Sequence, residues 1–181
     1  MSANQITKLT LAAALKECMK RQMLSQISVQ NIVDACGLNR NSFYYHFKDK
    51  YELVNWIFDT ESAPQFARTG QDIWQDYLII FEFFYEHREF YACAFQDQGQ
   101  NSFTEHFYKV FKAAFVDDVS DLFPNSEDQE FFAAFFLDSL LACIRRWLLG
   151  GAQQTPEEMT RLIKTAMTGA ATMVNGESAS E

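Results

Sequence analysis

The sequence predicts an all-α protein, and three observations predict it. Apolar residues recur at intervals of three and four from Thr7 to Val174, with no alternating strand pattern. Eighteen Phe stand against 7 Gly and 3 Pro, a composition suited to long uninterrupted elements with few tight turns. Helix start and stop signals flank the periodic segments. With 48% apolar and 22% charged residues, the 181-residue chain has ample material for a folded core.

Each element follows from local chemistry. In the first helix Leu11, Ala14, Leu15 and Cys18 line one face, while Lys16 and Lys20 lie opposite. Ser28 is the N-cap of a short second helix carrying Val29, Ile32, Val33 and Cys36. Gly37 ends it in a left-handed turn. Asn39 caps a third helix over residues 40–47, and Asp49 with Glu52 opens a fourth that runs to about Glu61. The APQFARTG stretch, residues 63–70, is the clearest break. It divides the chain into residues 1–62, a three-helix helix-turn-helix head with its connecting helix, and residues 63–181, a helical body. Helices are expected in the body at about 71–86, 88–96, 101–122, 127–149 and 156–174. Thr155, Pro156 and Glu158 form the cleanest start signal, and residues 176–181 read as a polar tail without structure.

Charge is distributed unevenly. The net charge is -9. Residues 1–50 hold seven cations (Lys8, Lys16, Lys20, Arg21, Arg40, Lys48, Lys50) against three anions (Glu17, Asp34, Asp49), a balance of +4, so the remainder carries -13. A basic head on an acidic body fits docking on phosphate through one end. No apolar leader precedes the head, and the most apolar stretch, residues 131–149, is interrupted by Asp138, Arg145 and Arg146, so a cytoplasmic chain without membrane contact is expected. Cys18, Cys36, Cys93 and Cys143 lack metal or redox spacing and read as reduced core thiols. No Gly-rich phosphate loop, nucleophile–base pair or metal-ligand run is visible, which argues against an enzyme and for no cofactor. Glu86, His87 and His106 have no ligand spacing and read as exposed residues rather than a metal site.

The functional signal lies in residues 28–50, SVQNIVDACGLNRNSFYYHFKDK. Phe43 and Phe47, at i and i+4, anchor one face of the third helix together with Leu38, which turns Arg40, Asn41, Tyr44 and Tyr45 outward with His46 on the flank. Tyr hydroxyls bond phosphate, Arg pairs with guanine and Asn with adenine. Lys50, a cation in the first turn of a helix, makes sense against a phosphate at that N-terminus. Packing is the competing reading for the tyrosines, and a solvated face for the cations of the first helix.

This stretch resembles the TetR family of bacterial regulators, in which the helix-turn-helix runs T-V-x-x-I-A-x-x-A-G-V-S-x-G-x-x-Y-x-H-F-x-x-K-x-x-L. The matching residues are Ser28, Val29, Ile32, Val33, Cys36, Gly37, Leu38, Asn39, Tyr44, His46, Phe47, Lys50 and Leu53. The resemblance implies a homeodomain-like head and a TetR-type C-terminal bundle. It implies that Arg40 and Asn41 approach base edges, that Ser28, Tyr44, Tyr45 and Lys50 hold phosphates, and that His46 lies close by. Asn41 replaces a glycine common in the family, so base contacts there differ. The NRNSFYYHFKDKYELVNW form is similar to a subgroup that includes the DhaS-type activators of dihydroxyacetone kinase genes, which implies an alternative, a co-activator working chiefly through a protein partner.

The body is expected to dimerise, because a single small module buries too little surface for tight operator binding. The 127–149 helix is apolar almost all round, with Phe132, Phe135, Phe136, Leu140 and Cys143 on one side and Phe131, Ala134, Leu141, Ile144 and Leu148 on the others. With Met159, Leu162, Ile163, Ala166 and Ala170 of the last helix, the latter set predicts a twofold four-helix interface, a purely intrachain core being the competing reading. The resemblance also implies an effector pocket, with lining candidates Trp74, Tyr77, Phe81, Phe84, Tyr91, Phe95, Phe103, Phe107, Phe111 and Trp147 and a small molecule or a protein as effector. The expected partners are therefore double-stranded DNA, a second copy and that effector.

Overall fold

A computed structural model describes residues 2–66, 72–97, 102–123 and 128–178, and among these every regular element is a helix. The helices are α1 Ala3–Met19, α2 Val29–Cys36, α3 Arg40–His46, α4 Lys50–Ser62, α5 Ile73–Glu86, α6 Arg88–Gln96, α7 Phe103–Leu122, α8 Gln129–Leu149 and α9 Pro156–Ser178. The caps sit where the sequence places them. Ser28 and Asn31 form a reciprocal capping box on α2, and Gly37 closes that helix at φ 70°. Asn39 accepts from the Ser42 amide, and Asp49 from the Tyr51 and Glu52 amides. Thr155 and Glu158 bond each other's backbone amides at the start of α9.

Three details differ from expectation. The first helix begins at Ala3, because Ser2 supplies a cap ahead of the apolar pattern. A 3-10 turn, Leu24–Gln26, precedes α2; its single buried residue, Leu24, is too short a signal for periodicity. At the other end α9 continues to Ser178, so residues 176–178 are helical rather than an unstructured tail. Extending a helix adds one bond for each residue fixed, so a polar sequence can follow an established one. Residues 67–70 of the expected break, residue 71 at the start of the next expected helix, and 179–181 of the tail lie outside the described residues.

The chain forms two compact units. The first comprises residues 1–65 together with 87–103; the second comprises 66–86 with 104–181. The sequence break after Ser62 therefore marks the end of α4, but α6 returns to the first unit. A composition break cannot reveal a return of this kind. In that unit α1 packs on α2, α4 and α6 around Leu11, Leu15, Ile32, Val33, Leu53 and Phe58. Phe103 and Tyr91 cover Phe58 edge-on, with centroids at 5.1 and 6.0 Å. The Cys93 thiol lies 3.9 Å from the Gln22 carbonyl. All four cysteines are free and half-buried, so they are less deeply placed than core thiols.

In the second unit α5 packs on α8 and α9. Trp147 meets Phe81 edge-on, stacks on Tyr85, and donates its indole N–H to the Gln154 carbonyl. Phe123 stacks on Phe132 at 4.5 Å. The expected dimer set divides here. Leu141, Ile144, Leu148 and Met159 are buried within the unit, which leaves them little surface to offer a second copy. Phe131, Leu162 and Ala166 are exposed, and Ala134, Ile163 and Ala170 are half-buried. A helix apolar on every side does not declare which side its own chain covers.

Candidate nucleic-acid interface

The reading surface is built on α3. This helix is short, and two rings hold its inner face: Phe43 is fully buried and Phe47 is 2% exposed, with their centroids 6.0 Å apart. Phe47 also meets Trp56 of α4 edge-on at 5.7 Å, and the Lys8 ammonium lies over both rings. These contacts fix the rotation of α3 about its axis. Arg40 and Asn41 are consequently exposed, with Tyr44 48% and Tyr45 78% exposed. Arg40 Nη2 donates to the Tyr44 hydroxyl at 3.3 Å, and its guanidinium lies 5.8 Å from that ring, so the two present one polar edge. His46 is half-buried, with its ring edge-on to Tyr45.

Two of the expected phosphate ligands have structural duties. The Ser28 hydroxyl accepts from the Asn31 amide and donates to the Asn31 side chain, completing the α2 cap, although the residue itself remains exposed. Lys50 requires a larger revision. Its ammonium donates to the carbonyls of Leu24, Ser25 and Ile27 at 2.6, 3.1 and 2.8 Å, which engages all three of its protons. Burial draws its pKa down, and the carboxylates of Asp97 and Asp49 oppose that shift. Lys50 therefore ties the start of α4 to the 3-10 turn and leaves no N–H for a phosphate. The cation at a helix N-terminus is matched by carbonyl oxygens of the protein itself.

Lys48 was missed. It is exposed in the short link between α3 and α4, where its backbone amide donates to Glu52. An exposed cation directly after the reading helix is the available signal for it. Lys16 of α1 pairs with Glu61, and Lys20, just past that helix, pairs with Glu17. The first unit as a whole carries eight cations and eight anions, so it has no net positive charge; on the α3 side Arg40 and Lys48 are exposed cations.

The aromatic candidates for an effector pocket do not form one group. Tyr91, Phe95 and Phe103 belong to the first unit, and the others to the second. Nine of the ten are buried, and Trp74 is half-buried. Phe107 stacks on Phe111 at 4.3 Å and touches Phe84, which is the geometry of a filled core. His106 is half-buried, while Glu86 and His87 fall in different units.

The pattern of bacterial regulatory proteins of the tetR family matches residues 11–57, the α1–α4 segment that carries this surface. A second family pattern, described as the C-terminal region of transcriptional regulators, matches residues 71–169, more than half of the chain. The chain belongs to the TetR family. A relative of this TetR-family protein is the HTH-type dhaKLM operon transcriptional activator DhaS of Lactococcus lactis subsp. lactis (strain IL1403), 29% identical over 113 residues. That match covers 61% of this chain and 58% of the relative, so it spans less than two thirds of the relative's length. Among solved structures, the dihydroxyacetone kinase operon activator DhaS aligns with a TM-score of 0.65 at 21% identity, covering 93% of this chain and 97% of that one. A TetR transcriptional regulator from Streptococcus agalactiae 2603V aligns with a TM-score of 0.72 at 18% identity, covering 94% of each chain. NalD, the secondary repressor of the MexAB-OprM multidrug efflux pump in Pseudomonas aeruginosa, aligns at 0.58 and 16% identity, covering 90% and 96%. At these identities the structures establish the shared fold. Among the described residues no helix is long and apolar enough to cross a membrane.

Proposed function

We propose that this TetR-family protein is a cytoplasmic transcription regulator that binds palindromic operator DNA as a homodimer. In this reading residues 1–62 supply the DNA contacts and residues 63–181 the dimer and effector contacts. The carrying observation is the division of α3 into a face locked by Phe43 and Phe47 and a face that exposes Arg40, Asn41, Tyr44 and Tyr45. Tyr45 meets the His46 ring edge-on yet stays 78% exposed, so burial does not explain a large aromatic there. Arg40 and Asn41 reach base edges; Tyr44, Tyr45 and Lys48 hold phosphates, with Ser28 and His46 beside them. Two such heads fit half-sites about 34 Å apart, one turn of the duplex. The acidic body opposes other orientations on DNA.

Effector control is part of the proposal. Of the candidate residues, Trp74 in the second unit is the most accessible, with Tyr77 beside it and the Lys164 ammonium 5.2 Å from its ring. The DhaS relative is described as a transcriptional activator; the alternative reading is a co-activator that acts chiefly through a protein partner. Reporter transcription with and without the chain gives the sign of control.

The test is Tyr45→Ala, measured by fluorescence anisotropy on DNA from the chain's own promoter. Affinity is expected to fall about tenfold or more, consistent with the loss of one well-placed contact. The melting temperature is expected to stay within about 2 °C, because exposed substitutions rarely exceed about 0.5 kcal/mol. Unchanged affinity, or a loss of fold, overturns the assignment of α3 as the reading helix.

A further inference from the structure

We propose that the second copy seats on α8 in an antiparallel register centred on Ala142, with Asp138 of each chain facing the partner's Arg146. The inference rests on the homodimer reading above and specifies its geometry.

The covered face of α8 is buried by its own unit, and what remains outside is a single stripe. It comprises Phe131 (63% exposed), Phe135 (53%), Asp138, Ala142, Arg146 and Leu149 (41%). Spacings of three and four residues place all six on one side of the helix. The Phe131 and Phe135 rings already lie nearly parallel to each other on the surface, 6.2 Å apart, and cover only part of their own area. An apolar stripe of this kind stays exposed at a cost in free energy until another surface covers it.

The order of residues along the stripe indicates what covers it. Asp138 and Arg146 carry opposite charges and stand four residues either side of Ala142. Phe135 and Leu149 stand seven residues either side of it. A twofold axis at Ala142 therefore brings Phe135 against the partner's Leu149 and Asp138 against the partner's Arg146. At 1.5 Å per residue, the charges lie about 6 Å and the large apolar groups about 10 Å from the axis. Alanine at the crossing permits axial separations of about 8 Å, the close end for packed helices. Sliding the partner by one turn sets each charge against Phe, Leu or Ala, and a charge covered without its counterion is costly. Register is thus fixed by the acid and the arginine, while the apolar groups supply the contact area.

A second feature is consistent with close approach by another body. Gly169, in the interior of α9, shares an exposed stripe with Leu162, Ala166 and Met173. A Cβ built there would meet nothing within 4 Å in its own chain, and its backbone does not require glycine. Interior helical glycine is unfavourable relative to alanine, so the position is costly unless something outside the chain comes near.

The test uses the full chain and sedimentation equilibrium. Asp138→Arg and Arg146→Asp, made separately, are each expected to weaken self-association about tenfold or more by placing like charges opposite one another. Mixed together, they are expected to form a one-to-one heterodimer, since every facing pair is then opposite in sign. The double variant carrying both changes is expected to dimerise with itself and not to exchange with the unmodified chain. Recovery in the mixture excludes misfolding as the cause of the single losses. If the single variants self-associate as tightly as the unmodified chain, or the mixture shows no preference for the heterodimer, the register is refuted while the dimer stands. An unmodified chain that remains monomeric at DNA-binding concentrations refutes the dimer reading, and the register with it.

Discussion

Replacing Lys50 by methionine separates two roles that a lysine in this position can serve. Methionine keeps most of the aliphatic stem and removes the ammonium. Of the three carbonyls it binds, those of Leu24 and Ile27 are part-buried, and the bond to Ser25 is exposed. Water can take over at Ser25, so that bond contributes little. Each of the other two, donated by a charged group, is worth about 1.5 kcal/mol at the lower end of the usual range. The desolvation that draws the Lys50 pKa down offsets part of this gain. A destabilisation of about 2–3 kcal/mol results, which for a chain of this size lowers the melting temperature by roughly 5–10 °C. Thermal melts followed by circular dichroism measure it. DNA binding, assayed well below the melting range, is expected to change by less than about twofold, with the same dependence on salt. A phosphate ligand would behave differently: each lost phosphate contact reduces the slope of log K against log salt by about 0.9. An unchanged melting temperature with a shallower slope would refute the anchoring role.

Two further perturbations test the local physics of the first unit. Gly37→Ala is expected to cost about 1–2 kcal/mol in urea denaturation, entirely through the backbone, since φ is 70° and a Cβ there meets nothing within 4 Å; Gly37→Asn should cost less. Tyr51 donates to Asp97 at 2.9 Å, and burial, that bond and the Asp97 and Asp49 carboxylates push its pKa up to about 12. Because the folded value lies above the usual 10, the contribution of Tyr51 to stability is complete below about pH 10 and is lost as pH rises through 12. Tyr51→Phe is therefore expected to flatten the fall in stability over pH 10–12, and to remove one late step from the tyrosinate absorbance titration. Identical slopes for both proteins would contradict this.

Much of the head was legible because its signals are local. Ser28, Gly37, Asn39 and Asp49 each act within four residues of themselves, and each ends or begins a helix where its chemistry predicts. The inward turn of Phe43 and Phe47 was equally legible from their spacing, and it determines which side of α3 faces outward. Contacts between distant segments were not legible. Lys50 bonds carbonyls 23 to 26 residues earlier, which no spacing rule relates to it. In the same way, the faces of α8 differ little in composition, so periodicity makes Leu141, Ile144 and Leu148 look as available to a partner as Phe131, and only the packing within the unit buries them. Periodicity counts apolar positions but does not rank them by which neighbour reaches them first.

The return of residues 87–103 to the first unit bears on how this protein can be divided or recombined. A fragment ending at residue 62 would strip Tyr91 and Phe103 from Phe58 and uncover that side of the ring. Chimeras that exchange the operator-reading portion between relatives would inherit the same defect if they were joined at one point. A transplant made in two pieces, residues 1–65 and 87–103 together, carries its own core with it.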